Sequence, residues 1–299
     1  MPRSFLQFRR WIIGLLCLVL VGLGGCSAVR LGYNQAPELV YWWLDGYVDF
    51  DDGQSPRVRD ALAQWFAWHR RTQLPDYAAL LARAQVEVLA DTTPERACGW
   101  WNDLRTRMDT AFEHAAPLAA DLVVTLSPEQ LKHVERRYAK ANDEFRDEYL
   151  AGDAPERLAK SVKRAVERAE TIYGRLDEAQ RERVAKAVAE SPFDPALWLS
   201  ERRRRQQDAL ATLRGLAGDT AARARAPAAL RAWHERIERS PRTAYRRYSE
   251  QLTQYNCVFS ASLHNSTSSA QREAAAAKLK GWEGDLRALA ATANGGGGR

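Results

Sequence analysis

Along this chain a proline repeatedly follows directly on a Ser, Thr or Asp, as in Thr93-Pro94-Glu95, Ser127-Pro128-Glu129, Asp194-Pro195 and Ser240-Pro241. Such a pair fits the first turn of an α-helix. There the side-chain oxygen caps a free backbone N–H, and the missing proline N–H had no helical partner to lose. Between these starts, apolar residues recur at helical spacing. Val58, Leu62, Trp65, Phe66 and His69 form one stripe, Tyr77, Leu80, Leu81, Ala84 and Val88 a second, and Cys98, Trp101, Leu104, Met108 and Phe112 a third. No alternating β-branched run of strand length interrupts them. The expected fold is all-α, a multi-helix bundle of about ten to eleven helices. Their expected spans are roughly 37–50, 56–71, 75–90, 94–116, 127–150, 155–174, 177–190, 195–217, 227–239, 241–264 and 269–291.

The stretch TLSPEQLKHVERRY, residues 125–138, is a complete helix start. Ser127 is placed to cap, Pro128 fits the first helical position, and Gln130 lies three residues after the cap, where it can reach back to the cap N–H. Leu126 and Leu131 flank the start as a hydrophobic staple. RLDEAQ, residues 175–180, repeats the logic with Asp177 and Gln180, and DDGQSP, from Asp51, is a looser third case. Gln54, Gln130 and Gln180 are unevenly separated, so they mark helix starts and not a tandem repeat. Leu131, Val134, Tyr138 and Phe145 continue the helix as a core-facing stripe.

The N-terminus reads as a targeting segment. Arg3, Arg9 and Arg10 precede the apolar run Trp11 to Leu23, which ends in Leu23-Gly24-Gly25-Cys26. A basic head, a short apolar run and two small residues before a cysteine resemble a bacterial lipobox. Residues 1–25 are therefore expected to be a lipoprotein signal peptide, Cys26 the lipidated residue, and residues 26–36 a tether. Residues 37–292 are expected to form a single all-helical domain, with 293–299 a disordered tail. Ser27 after the cysteine favours the outer membrane over the inner one, with the body in the periplasm. Removing residues 1–25 takes away three Arg and no acid, leaving 41 basic against 38 acidic residues, a balance of +3. That near-neutral balance gives no support to nucleic acid as a partner. Cys98 and Cys257 then remain, and in an oxidising compartment they are expected to pair in a structural disulfide; two buried reduced thiols are the alternative. No Cys-x-x-Cys is present to give them a redox role.

Tyr33-Asn34, the aromatic segment with Trp42, Trp43 and Asp45, His69-Arg70 followed by Leu74-Pro75 and Tyr77, and the Leu126-Ser127-Pro128-Glu129-Gln130 helix follow one another in this order. With the lipobox, this succession resembles a family of uncharacterised proteobacterial lipoproteins built on a domain of unknown function. The match is strongest before residue 150. The chain departs from that pattern at DDGQSP, where a Leu-Thr-x-x-Gln form is expected. The same Leu-Ser-Pro-Glu-Gln stretch has a weak resemblance to the Leu-Thr-x-x-Gln signature of periplasmic helical chaperones. The resemblance implies an all-helical fold and carries no activity with it.

Tyr33, Asn34, Trp42, Trp43, Asp45, His69, Arg70 and Tyr77 are the candidate partner or functional surface. The helix ELVYWWLDGYV is apolar on nearly every face, which means burial in the bundle or an exposed face for a partner or the bilayer. His69 ends an apolar stripe with no acid or nucleophile at helical spacing from it, the setting of a structural histidine. Glu201 to Arg205 is a charged run whose residues point around a helix and not to one side. No His-Glu-x-x-His, no Gly-x-Ser-x-Gly and no glycine-rich phosphate loop occurs, so neither a metal nor a cofactor is expected. The expected role is non-enzymatic protein or envelope binding from a lipid anchor, with a chaperone-like variant. The alternatives are an envelope enzyme acting on peptidoglycan or lipid through His69 and Asp45, and a structural lipoprotein meeting anionic polymers through Arg202 to Arg205.

Overall fold

The computed structural model describes residues 28–294; residues 1–27, with the expected signal peptide and Cys26, and residues 295–299 with most of the expected tail lie outside them. Among the described residues there are ten α-helices, one short 3-10 helix and no strand. The helices are α1 (Ala28–Val48), α2 (Gln54–Glu87), α3 (Pro94–Val123), α4 (Pro128–Tyr149), α5 (Ala154–Tyr173), α6 (Glu178–Ala189), α7 (Pro195–Arg214), α8 (Ala226–Glu238), α9 (Thr243–Asn265) and α10 (Ser269–Asn294). The 3-10 turn covers Thr220–Ala224.

Several boundaries differ from the spacing-based expectation; α3, expected to end at 116, runs on through Pro117 to Val123, and three others bear on the site. First, α1 begins at Ala28, so the segment expected as a tether is helical for most of its length. Second, the two helices expected on either side of Pro75 are one helix of 34 residues. A proline inside a helix removes one ladder bond and disfavours the turn before it. Here Leu74 and Ala78, on either side of it, are fully buried, and that packing holds the two halves in line. Third, α9 starts at Thr243, because the Ser240 hydroxyl accepts from the Arg242 N–H at 3.2 Å and forms a turn ahead of the helix.

The caps are those the sequence spells. Thr93 accepts from Arg96 N at 3.3 Å, Asp153 from Glu156 N at 2.8 Å, and Asp194 from Ala196 N and Leu197 N at 2.8 and 3.0 Å. Ser127 and Gln130 form a full capping box. The Ser127 hydroxyl accepts from Gln130 N at 3.1 Å, and Gln130 Oε1 accepts from Ser127 N at 2.9 Å. Asp177 and Gln180 do the same at 2.8 and 3.0 Å.

These box glutamines do more than cap. Gln130 Nε2 donates to Gln54 Oε1 at 2.6 Å, and Gln54 Nε2 donates back to Gln130 Oε1 at 3.2 Å. Gln54 Nε2 also reaches the Thr125 carbonyl at 3.0 Å, while Gln130 Nε2 reaches that of Asp49 at 2.9 Å. Both side chains are buried, so every polar atom of the pair is satisfied inside the protein. A second pair repeats the arrangement. Gln180 and Gln271 donate to one another at 2.8 and 2.9 Å, and Gln271 closes its own box on Ser268. The starts of α2 and α4 are thereby clasped together, and so are those of α6 and α10.

Around these clasps α2 packs along α10, α1 lies against α2, α4 and α10, and α3 contacts α2, α8 and α9. The helix α4 packs on α7, α5 on α6 and α10, and α6 on α9. One core cluster joins Ala120 and Val124 to Leu216, Ala222 and Ala226; another joins Leu176, Val184 and Leu263. Leu131, Val134 and Phe145 are buried, as their spacing predicts. Cys98 of α3 and Cys257 of α9 are disulfide-bonded, with Cα atoms 5.3 Å apart across a separation of 159 residues.

Two outcomes follow from this frame. Gln130→Leu leaves buried partners of the amide unpaired and should lower unfolding free energy by about 1–3 kcal/mol in urea titrations. Gln54→Leu with Gln130→Leu should cost less than the sum of the single changes, because both ends of the lost bond go together. For the disulfide, electrophoresis without reductant should show a faster band than with it, and Cys98→Ser with Cys257→Ser should cost about 2–5 kcal/mol, as for other long closed loops. Unchanged mobility with two titratable thiols would contradict the bond.

Candidate functional site

Five of the eight candidate surface residues meet at one place. α1 supplies Tyr33 and Asn34, between one and two turns from its start, and α2 supplies His69, Arg70 and Tyr77. The Tyr33 hydroxyl and His69 Nδ1 are hydrogen-bonded at 2.9 Å. Arg70 donates to Asn34 Oδ1 at 2.8 Å and to the Thr292 hydroxyl of α10 at 3.0 Å, with its guanidinium 5.1 Å from the Tyr33 ring centre. The His69 ring is stacked on Trp65 at 4.7 Å and meets the Tyr77 ring edge-on at 5.3 Å. Burial pushes His69 down to about 4 and Tyr33 up to about 12, the nearby Arg70 charge opposing the second shift. At neutral pH the pair is an uncharged imidazole against an uncharged phenol. The hydrogen-bond partner of His69 is therefore a phenol and not a carboxylate, and the cluster acts as a clamp holding α1 to α2 and α10.

Trp42, Trp43 and Asp45 lie apart from this clamp. Asp45 Oδ1 accepts from Phe50 N at 2.9 Å and its carbonyl accepts from Asp49 N at 2.7 Å, which shapes the turn after α1. Asp49 there has φ 62°, a left-handed conformation that a short polar side chain tolerates. The sequence leaves burial of the aromatic helix and its exposure both open; the structure divides it by face. Tyr41 is buried and Arg59 lies over its ring at 3.6 Å, but Leu31, Leu39, Trp42 and Trp43 are 60–62 % exposed. At about 100° per residue, the arc from Leu31 to Trp43 spans about 120° and holds Gly32, Gln35 and Gly46 besides, with no charged residue on it. Glu38, at the edge of the arc, is turned to an ion pair with Arg59.

The arginine run on α7 is largely internal. Glu201 is fully buried; its Oε1 accepts from Arg204 Nε at 2.8 Å and from Arg205 Nε at 3.4 Å, and its Oε2 lies 3.5 Å from Arg242. Arg202 points over the Phe145 ring. Only Arg203 of the four is fully on the surface. Helical periodicity alone does not show such a buried acid, since Glu201 reads as one more charge in the run.

One group among the described residues brings ligand-type atoms close together: Asp109, His234 and Glu238, all within 4.8 Å of one another. His234 Nε2 is already hydrogen-bonded to Asp109 Oδ1 at 2.9 Å, and its ring is stacked on Phe112 at 4.0 Å. Arg105, Arg205, Arg239 and Arg246 line the same depression, a potential that disfavours a cation. Gln271 is the residue that spacing should have brought out and did not. Ser268-x-x-Gln271 is a fourth capping box, hidden by the Ser/Thr-rich run around it.

The clamp makes a pH-dependent contribution of known sign. Unfolded, His69 takes up a proton as the pH falls through about 6.5; folded, it resists until about 4. The unfolded state binds more protons in that window, so stability is lost as the pH falls from about 6.5 towards 4. His69→Gln should melt below the wild type at about pH 7, with the gap narrowing by about pH 4.5. A gap independent of pH would contradict a neutral buried ring.

A search of curated proteins and a search of solved structures each returns no match. The pattern of a family described as a family of unknown function (DUF6279) matches residues 46–223, from the end of α1 to the 3-10 turn. That span is more than half of the chain and takes in His69, Arg70, Tyr77 and the Gln54–Gln130 clasp. The chain belongs to the family of unknown function DUF6279.

Proposed function

We propose that this protein is a lipid-anchored helical protein of the bacterial envelope that acts by binding and not by catalysis, and that α1 lies along the bilayer surface. The observation that carries this reading is the uncharged arc of Leu31, Leu39, Trp42 and Trp43, exposed on a helix that starts two residues after Cys26. An acyl chain on Cys26 would bring that arc to the headgroup layer, where tryptophan is at home because its ring is apolar and its N–H can stay wet. No helix among the described residues is long and apolar enough to cross a membrane, so α1 would lie on the bilayer. The Tyr33–Asn34–His69–Arg70 clamp gives the contact its geometry by fixing α1 on the body. Ser27 favours the outer membrane as the site of attachment. The pairing of His69 with a phenol supports binding over acid–base chemistry. The internal ion pairs of Arg204 and Arg205 take support from the reading in which that run meets anionic polymer.

Full-length protein, wild type and Cys26→Ser, labelled with palmitate in cells should show the label on the wild type alone. In vesicles containing brominated phosphatidylcholine, tryptophan fluorescence of the full-length protein should be quenched, and Trp42→Ser with Trp43→Ser should remove most of the quenching. Label on Cys26→Ser would sink the anchor, whereas quenching unchanged by the tryptophan substitutions would sink the surface contact.

A further inference from the structure

A long open groove of about 930 Å³ runs between α3, α5, α7 and α9. Its walls are apolar where a folded protein normally keeps apolar side chains inside. Trp101, Met108, Leu158 and Phe193 all line it and are 38–47 % exposed. The buried rings of Phe145 and Tyr245 and the half-buried ring of Trp198 extend the same lining. The third apolar stripe of the sequence thus faces a channel over part of its length and not the core.

The charge along this groove is of one sign. Arg105, Arg157, Arg164, Arg168 and Arg205 line it, against a single acid, Glu238. Arg164 is near Glu148 at 3.5 Å and Arg205 near Glu201 at 3.4 Å, so these two are partly neutralised. Among the described residues Arg157 donates to the Gly152 carbonyl, at 2.5 Å, and has no carboxylate partner. Arg105 and Arg168 are exposed and have no ion-pair or hydrogen-bond partner among the described residues. Guanidinium groups held without a carboxylate beside an apolar surface favour an anion, phosphate above all, whose oxygens match the guanidinium fork.

We propose that this groove binds a single-chain amphiphile with an anionic phosphate headgroup, the acyl chain along Trp101, Met108, Leu158 and Phe193 and the phosphate at Arg105 and Arg168. The volume lies at the upper end of the roughly 300–1,000 Å³ typical of small-molecule pockets, which suits one chain and its headgroup. No α1 residue lines the groove, so the site stands whether or not α1 rests on a bilayer.

The test uses the full chain in phosphatidylcholine nanodiscs, with lysophosphatidylglycerol carrying a diazirine on its acyl chain as probe and the matching lysophosphatidylcholine as control. Crosslinked peptides from α3 and α5, at least tenfold stronger with the glycerol headgroup than with choline, are expected. Arg105→Glu with Arg168→Glu should abolish that preference while helix content by circular dichroism stays unchanged, since neither side chain supports the fold. Leu158→Trp, which narrows the channel and leaves the charge alone, should weaken labelling with both probes. Equal labelling by the two headgroups, labelling spread over the whole surface, or a preference that survives the double substitution would each overturn the proposal. So would displacement of the probe by an acidic unfolded peptide but not by unlabelled lysophosphatidylglycerol. Labelling of α1 reports only on the bilayer contact, so the two readings fail separately.

Discussion

The reciprocal amide pairs between helix starts set the frame of this protein. A helix N-terminus leaves backbone N–H groups without partners, and burying one is tolerable only if side chains meet them. In the Gln54–Gln130 and Gln180–Gln271 pairs, each glutamine serves a local turn and at the same time a partner helix distant in sequence. A polar pair with all its valences filled is intolerant of displacement, because sliding either helix would strand donors in a dry interior. The paired starts therefore fix the register of α2 against α4 and of α6 against α10, and the packing of α2 along α10 links the two units.

Much of this was legible in the sequence, because the signals are local. Ser127, Asp177 and Asp194 announce helix starts through chemistry acting over three residues, and the structure has them as caps. The disulfide was expected from counting the cysteines left after the expected signal peptide, and Cys98 and Cys257 are bonded. What spacing could not convey was which glutamine faces which, since Gln54 and Gln130 are brought together by tertiary packing. The continuity of α2 through Pro75 has the same origin, since a local penalty is overcome by the burial of Leu74 and Ala78. Of the candidate surface, the order of Tyr33, Asn34, His69, Arg70 and Tyr77 along the chain was visible, but their convergence between two helices was not. Helical periodicity marked Trp42, Trp43, Trp101 and Met108 as one class of apolar residue. It cannot separate those that fill a core from those left at a surface.

The fully buried Glu201 shows how misleading a charge run can be. Four arginines in succession read as a cationic surface, yet an internal carboxylate holds Arg204 and Arg205 and lies close to Arg242. Two charges of opposite sign in a dry setting stabilise one another only as a set, and removing one leaves the rest uncompensated. The positive charge available for outside partners lies instead on arginines scattered singly through the sequence, such as Arg105 and Arg168, which the fold gathers along one groove.

The disulfide has a mechanical meaning beyond its effect on the unfolded chain. Cys98 lies one turn before Trp101 on α3, and Cys257 lies next to Asn256 on α9, so the bond ties together two packed helices that both line the groove. There the spacing of α3 and α9 is set by a covalent bond. Elsewhere along the groove the lining can adjust by rotation of flexible side chains such as Met108 and Leu158. Reducing the bond would therefore loosen α3 from α9 beside the groove and leave the Gln54–Gln130 and Gln180–Gln271 clasps as they are.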